Sequence, residues 1–175
     1  NRSFSSDPYL VSKLGKICIN KFHENHIGTV LKHIPGHGLS KVDTHKKLPI
    51  VNKNIKLLNK IDFFPFKKQS SFLAMTAHIV FKSLDPNNSV THSKKIIKII
   101  RQKIGYKNIL MSDDISMKAL KYSISENTTR AFNAGCDLVL HCNGNYKEML
   151  SVAKNSPRLN NFIIKKTSQL MNIIG

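Results

Sequence analysis

Short apolar runs in this chain each stop abruptly on polar or glycine-rich residues, and the stretches between them are amphipathic with a helical period. Ile27 to His33 gives way to Pro35-Gly36, and Ser71 to Ile79 ends beside His78. Asn108 to Ser112 meets Asp113-Asp114, and Asp137 to His141 runs into Asn143-Gly144. A short apolar run closed by turn residues reads as a buried strand. The intervening pattern is helical. Asp7-Pro8 reads as a cap and first residue, with Leu10, Leu14, Ile17 and Phe22 on one face of a helix that ends near Asn25. Ile55 to Ile61 reads as a short helix, and Pro65 breaks the pattern after it. Ser93 caps a helix whose buried stripe is Ile96, Ile97, Ile100 and Ile104 and whose stop is Gly105. Further helices are expected over about Glu126 to Ala134, Tyr146 to Ala153 and Leu159 to Ile174. Strands alternating with helices in this way predict an α/β fold with its chemistry at the C-terminal edge of a parallel sheet. About four such units are present, whereas a closed (β/α)8 barrel takes eight strands and about 250 residues. The expectation is therefore an open sheet or part of a barrel.

Composition narrows the partners. Lys and Arg number 28 against 10 Asp and Glu, a formal charge of +18, which attracts any polyanion. The lysines are spread along the whole chain, without an Arg-rich tract or an aromatic-interleaved basic strip, so nucleic acid is not the expected partner. Cys18, Cys136 and Cys142 make an odd number with no C-x-x-C spacing, which indicates neither a disulfide framework nor a zinc knuckle and points to a reduced, cytoplasmic setting. No apolar run approaches the roughly 20 residues that span a bilayer. The chain starts at Asn1, as expected of a piece of something larger.

Chemistry-bearing residues crowd into K-H-I-P-G-H-G-L-S-K-V-D-T-H, residues 32 to 45. His33, His37, Asp43 and His45 offer imidazole and carboxylate to a metal, but Pro35-Gly36 forbids the helix that would put His33 and His37 on one face. A polar loop of structural histidines and an acid-base site remain open beside the metal. A phosphate loop does not, because the glycine pattern of such loops is missing. Asp43 and His45, two apart on an extended loop, point the same way, so the carboxylate can orient the imidazole and favour its protonated form. Asp113 stands just past an apolar strand, as nucleophile, metal ligand or helix cap. Arg2 suits an anion, a sugar hydroxyl or a surface ion pair, and His78 a ligand or a hydrogen-bonded core histidine.

Taken together and in order, R-S-F-S-S-D-P, K-H-I-P-G-H-G, D-T-H-K-K-L-P, A-M-T-A-H-I, M-S-D-D-I-S-M and A-G-C-D-L-V-L resemble the β-N-acetylglucosaminidases of glycoside hydrolase family three. The likeness runs from Arg2 to about Gly144. It implies a partial (β/α)8 barrel of the TIM type, with residues 1–175 as the C-terminal part of the catalytic barrel. It also implies a retaining exo-β-N-acetylglucosaminidase that removes terminal N-acetylglucosamine from peptidoglycan fragments in muropeptide recycling, with no metal or other cofactor. In such enzymes Asp113 is the nucleophile, and Asp43 with His45 supplies the general acid/base. Arg2, Lys32 and His33 contact the sugar. The first strands of the family barrel would have to come from a separate N-terminal half or from self-association. An inactive carbohydrate-binding remnant is the alternative, and a polyanion-binding module the less favoured one.

Overall fold

The computed structural model describes residues 4–40 and 48–175. Of the residues singled out above, Arg2, Asp43 and His45 lie outside the described residues. In chain order the elements are α1 (Pro8–Glu24), β1 (Val30–Ile34), β2 (Ile50–Val51), α2 (Ile55–Ile61), β3 (Leu73–Thr76), β4 (Val80–Phe81), α3 (Lys94–Ile99), β5 (Ile109–Asp114), α4 (Ile124–Ala134), β6 (Leu138–Leu140), α5 (Tyr146–Asn155) and α6 (Asn161–Ile174). The predicted α/β class and the alternation of strand and helix both hold. Polar side chains start the helices where the sequence places them. Asp7 accepts from the Tyr9 N–H at 2.9 Å, Asn54 from the Leu57 N–H at 2.9 Å, and Ser93 from the Ile96 N–H at 3.2 Å. Each satisfies one of the donors that a helix start leaves orphaned. The stripe after Ser93 is buried as predicted, and α3 continues through wider turns to Ile104 before Gly105 ends it.

The main sheet has the order β1-β3-β5-β6, with every pair parallel. All four strands therefore end on one edge. Register aligns Lys32 with Met75 and Met75 with Met111, so these three side chains share a face, as does Asp113 two residues further along β5. The opposite face carries Ala74, Thr76, Leu110 and Ser112, all buried. It packs into a core with Leu58 of α2, Ile96 and Ile97 of α3, and Ala131 of α4. Within β3 the residues alternate, Leu73 and Met75 half-buried and Ala74 and Thr76 buried. The described helices cover this one face of the sheet and leave the other the more open.

Two expectations shift. The face of α1 formed by Leu10, Ile17 and Phe22 stays largely exposed, and Ile19 is the residue that is buried. The helix is held instead through its contact with the turn at Phe64–Phe66, where Tyr9 and Phe64 rings lie 4.4 Å apart. A second, two-stranded parallel ladder joins β2 to β4, pairing Ile50 with Val80 and Val51 with Phe81. Strands so short leave no periodicity to read.

At the opposite end of the sheet, an ion pair ties the strand starts together. Arg101 Nη2 meets Asp137 Oδ2 at 2.6 Å, the same oxygen accepts from the Leu110 N–H at 2.8 Å, and Arg101 Nη1 donates to the Asn108 carbonyl at 2.6 Å. Among the described residues no helix is long and apolar enough to cross a membrane.

The burial of Ile100 is complete, so Ile100→Ala should cost about 2–5 kcal/mol, read as a lowered urea midpoint. Lys103→Ala on the exposed side of the same turn should move it by less than about 0.5 kcal/mol.

Candidate active site

Asp113 ends β5 on the edge where the other strands also end. Its side chain is 16% exposed. One oxygen, Oδ1, accepts from the Asp114 N–H at 2.8 Å, which fixes the plane of the carboxylate. The other, Oδ2, faces Nε2 of His33 at 3.7 Å. His33 reaches this position because β1 changes register between Lys32 and Ile34 at its end. The Lys32–His33 and Ile34–Pro35 peptides there are cis. Lys32 sits on the open face that also carries Asp113. The structure thus brings together three of the six predicted site residues, Lys32, His33 and Asp113, from strands separated in sequence by most of a hundred positions. Arg2, Asp43 and His45 are the three that fall outside the described residues.

His37 packs edge-to-face against His33, with ring centroids 5.6 Å apart. Burial first, and then the neighbouring His33, lower its pKa to about 4, with Asp113 opposing the shift. His37 is therefore neutral at physiological pH. Among the described residues no three His, Cys, Asp or Glu side chains converge as a metal would need.

Asp114 is occupied structurally. Its Oδ1 accepts from the Ser116 N–H at 3.0 Å, the Ser116 hydroxyl at 2.7 Å and the Cys142 N–H at 3.2 Å. It thereby ties the end of β5 to the segment after β6. Ser112, fully buried, accepts from the Leu140 N–H at 2.9 Å across the same pair of strands.

His78 is a hydrogen-bonded core histidine, one of the two roles its position allowed. A carbonyl can only accept, so the 2.9 Å contact to the Asp114 oxygen requires a proton on Nε2. Nδ1 of the neutral ring must then accept from the Thr91 hydroxyl at 2.8 Å. Thr91, its one proton used, in turn accepts from Thr76 at 2.9 Å. Burial holds the His78 pKa down, opposed by its bond to the Asp114 backbone. The chain of bonds supports the end of β5 from behind.

Sequence reasoning missed Asp62. It follows α2, is 2% exposed, its Oδ1 accepts from the Leu39 N–H at 3.0 Å, and its carboxylate lies against the Gly38 amide. The signal was a lone carboxylate in the apolar run I-D-F-F-P-F, which demands a buried partner.

A carboxylate at the C-terminal edge of a parallel sheet, with a Lys-His pair on the same edge, stands where barrel-type enzymes keep their active sites. The family model "Glycosyl hydrolase family 3 N terminal domain" matches residues 1–171, and this chain belongs to that family. It is 34% identical over 148 residues to the beta-hexosaminidase of Shewanella frigidimarina, an alignment covering 81% of this chain and 43% of that one. NagZ from Neisseria gonorrhoeae in complex with N-trifluoroacetyl-D-glucosamine superposes with a TM-score of 0.86 at 27% identity, covering 99% of this chain and 51% of NagZ. The same enzyme in complex with a zinc ion gives a TM-score of 0.82 at 26% identity, covering 97% and 49%. The chain spans about half the length of these relatives, and a partial barrel of the TIM type accounts for its four-stranded parallel sheet.

The buried histidines make stability depend on pH. His37 and His92 both sit at about 4, His92 chiefly through burial and then through His78 and Arg130, and His78 is also lowered. Unfolded, each titrates near 6.5, so the unfolded chain binds more protons in this window and stability falls as pH drops from about 6.5 toward 4. Asp62, raised by burial to about 6, acts in the opposite sense, since the folded carboxyl holds its proton more tightly. Three groups outweigh one. The urea midpoint should be lower at pH 5 than at pH 7, and His92→Gln should reduce the difference.

Proposed function

We propose that this chain carries the catalytic edge of a retaining exo-β-N-acetylglucosaminidase that removes terminal β-linked N-acetylglucosamine from peptidoglycan fragments in the cytoplasm. The single observation behind this reading is the placement of Asp113. One carboxylate oxygen is pinned by the Asp114 amide, and the other is turned toward His33 across the edge where Lys32 also stands.

In this reading Asp113 attacks the anomeric carbon as the glycosidic bond breaks, and His45 gives its proton to the departing oxygen. A covalent glycosyl-enzyme results. Water then attacks the same carbon, its proton passes to His45, and the Asp113 carboxylate is released. Asp43 orients the His45 imidazole and favours the protonated form that the first step needs. Lys32, His33 and Arg2 hold the sugar. His37, held neutral by burial, adds no charge beside Asp113. The second step asks for no metal.

Residues 1–175 serve as the C-terminal part of the catalytic barrel, completed by an N-terminal half or by a second copy. Two observations support this: β1 and β6 each have one edge unpaired by another described strand, and the sheet face bearing Lys32, Met75 and Met111 is the more open one. An unpaired edge and a half-covered face are what the remaining strands of a barrel would cover.

The test is hydrolysis of an activated aryl N-acetylglucosaminide by the chain alone and mixed with the N-terminal half of a family relative. Activity should appear on mixing, and Asp113→Asn should lower it by on the order of 10³-fold or more. Near-unchanged turnover in that variant would rule out Asp113 as the nucleophile.

His45→Ala should separate substrates by leaving group. Loss of proton donation costs about 10²–10⁴-fold on natural glycosides, whereas a good aryl leaving group departs with little protonation. Equal losses on both substrates would count against His45 as the proton donor.

A further inference from the structure

We propose that Asp62 is a positioning residue for acid-base catalysis: its buried carboxylate grips the amides of Gly38 and Leu39 and so fixes the stem of the segment that carries Asp43 and His45. The inference rests on the functional reading above for what that segment does, and on geometry for the grip itself.

The contact is built into the sequence at both partners. Asp62 Oδ1 accepts from the Leu39 N–H at 3.0 Å, and the same carboxylate lies against the Gly38 amide. Gly36 adopts φ +136°, and a Cβ there would lie 2.5 Å from the Asp62 carbonyl oxygen and 2.7 Å from its Cβ. At Gly38 a Cβ would lie 2.9 Å from Asp62 Oδ1. Gly36 is thus required because its backbone lies directly on that of Asp62, and a side chain at Gly38 would press on the Asp62 carboxylate. The far side of the segment is tied as well. The Val80 N–H donates to the Pro49 carbonyl at 2.9 Å, and Ile50–Val51 pairs with Val80–Phe81. Leu39 is thus held by a carboxylate, and Pro49 and Ile50–Val51 by a ladder.

A purely structural contact could be made by a neutral acceptor. Burying a carboxylate is costly, and here burial lifts its pKa to about 6. Among the described residues, the enclosed Oδ2 has no hydrogen-bond partner. What the charge adds is strength, since amides bind an ionised acceptor about twice as well as a neutral one. A stem that is held tightly keeps the proton donor in register with the glycosidic oxygen, where a displacement of about 1 Å can cost roughly 10²-fold.

Two variants test the proposal. Asp62→Leu removes the acceptor, and Asp62→Asn keeps an acceptor oxygen without the charge. In the 175-residue chain, amide hydrogen exchange at Gly38 and Leu39 should accelerate by about 10-fold or more in the leucine variant and by less in the asparagine variant. Ala74 and Leu110 should be unchanged. In the mixed, active preparation both variants should lose turnover on natural N-acetylglucosaminides, by up to about 10²-fold. They should lose only a few-fold on activated aryl substrates, the pattern expected of His45→Ala. Unchanged exchange at Gly38 and Leu39 overturns the proposal. So does equal loss on both substrate types, or acceleration that extends equally to Ala74 and Leu110. If the leucine variant fails to fold, the asparagine variant carries the test. Should His45→Ala itself show no leaving-group dependence, the functional reading fails, while the exchange result still decides whether Asp62 grips the stem.

Discussion

The in-register parallel pairing of β1, β3 and β5 is the constraint on which the site depends. It aligns Lys32, Met75 and Met111 across three strands, and the pleat then puts Asp113 on the same face. A slip of one residue in β5 would turn Asp113 toward the helices and put Ser112, now buried and bonded to Leu140, on the open face. The register is held from the strand starts, where Asp137 accepts from both Arg101 and the Leu110 amide. One edge of the sheet is thus given to stability, and the other is left for chemistry.

At the chemical edge most polar groups are already committed. Asp114 holds Ser116 and Cys142, and His78 passes a directed chain of bonds from Thr76 to the Asp114 carbonyl. Such buried groups are tolerated because each finds its partner, and once satisfied they make the surrounding backbone rigid. Asp113 differs from its neighbour in having Oδ2 turned to the open side, toward His33. Two adjacent aspartates are therefore placed differently: one is the joint of the strand end, the other turns an oxygen toward His33 on the open face.

Desolvation separates the histidines in the same way. His37 and His78 are driven toward the neutral form chiefly by burial, whereas His33 keeps 35% of its side chain exposed and lies beside a carboxylate. Residue type alone does not distinguish these three. Their depth beneath the edge does.

The helix starts at Asp7, Ile55 and Ser93, the isoleucine stripe of α3 and the strands ending at Asp113 and His141 were legible from the sequence, because caps, the 3.6-residue period and apolar runs are local signals. The motifs of residues 32 to 45 and 111 to 117 were legible too, through their order along the chain. What was not legible came from contacts between distant segments. The short β2–β4 ladder, the exposed face of α1, the His78 relay and the seating of Gly36 and Gly38 on Asp62 each join residues far apart in sequence. The sequence by itself determined the elements, the family and which side chains have reactive chemistry, since these depend on residue identity and spacing. Only the tertiary structure decided which carboxylate faces outward, which histidines lose their charge and which buried aspartate holds the loop stem, because burial and hydrogen-bond partners exist only once the strands are paired.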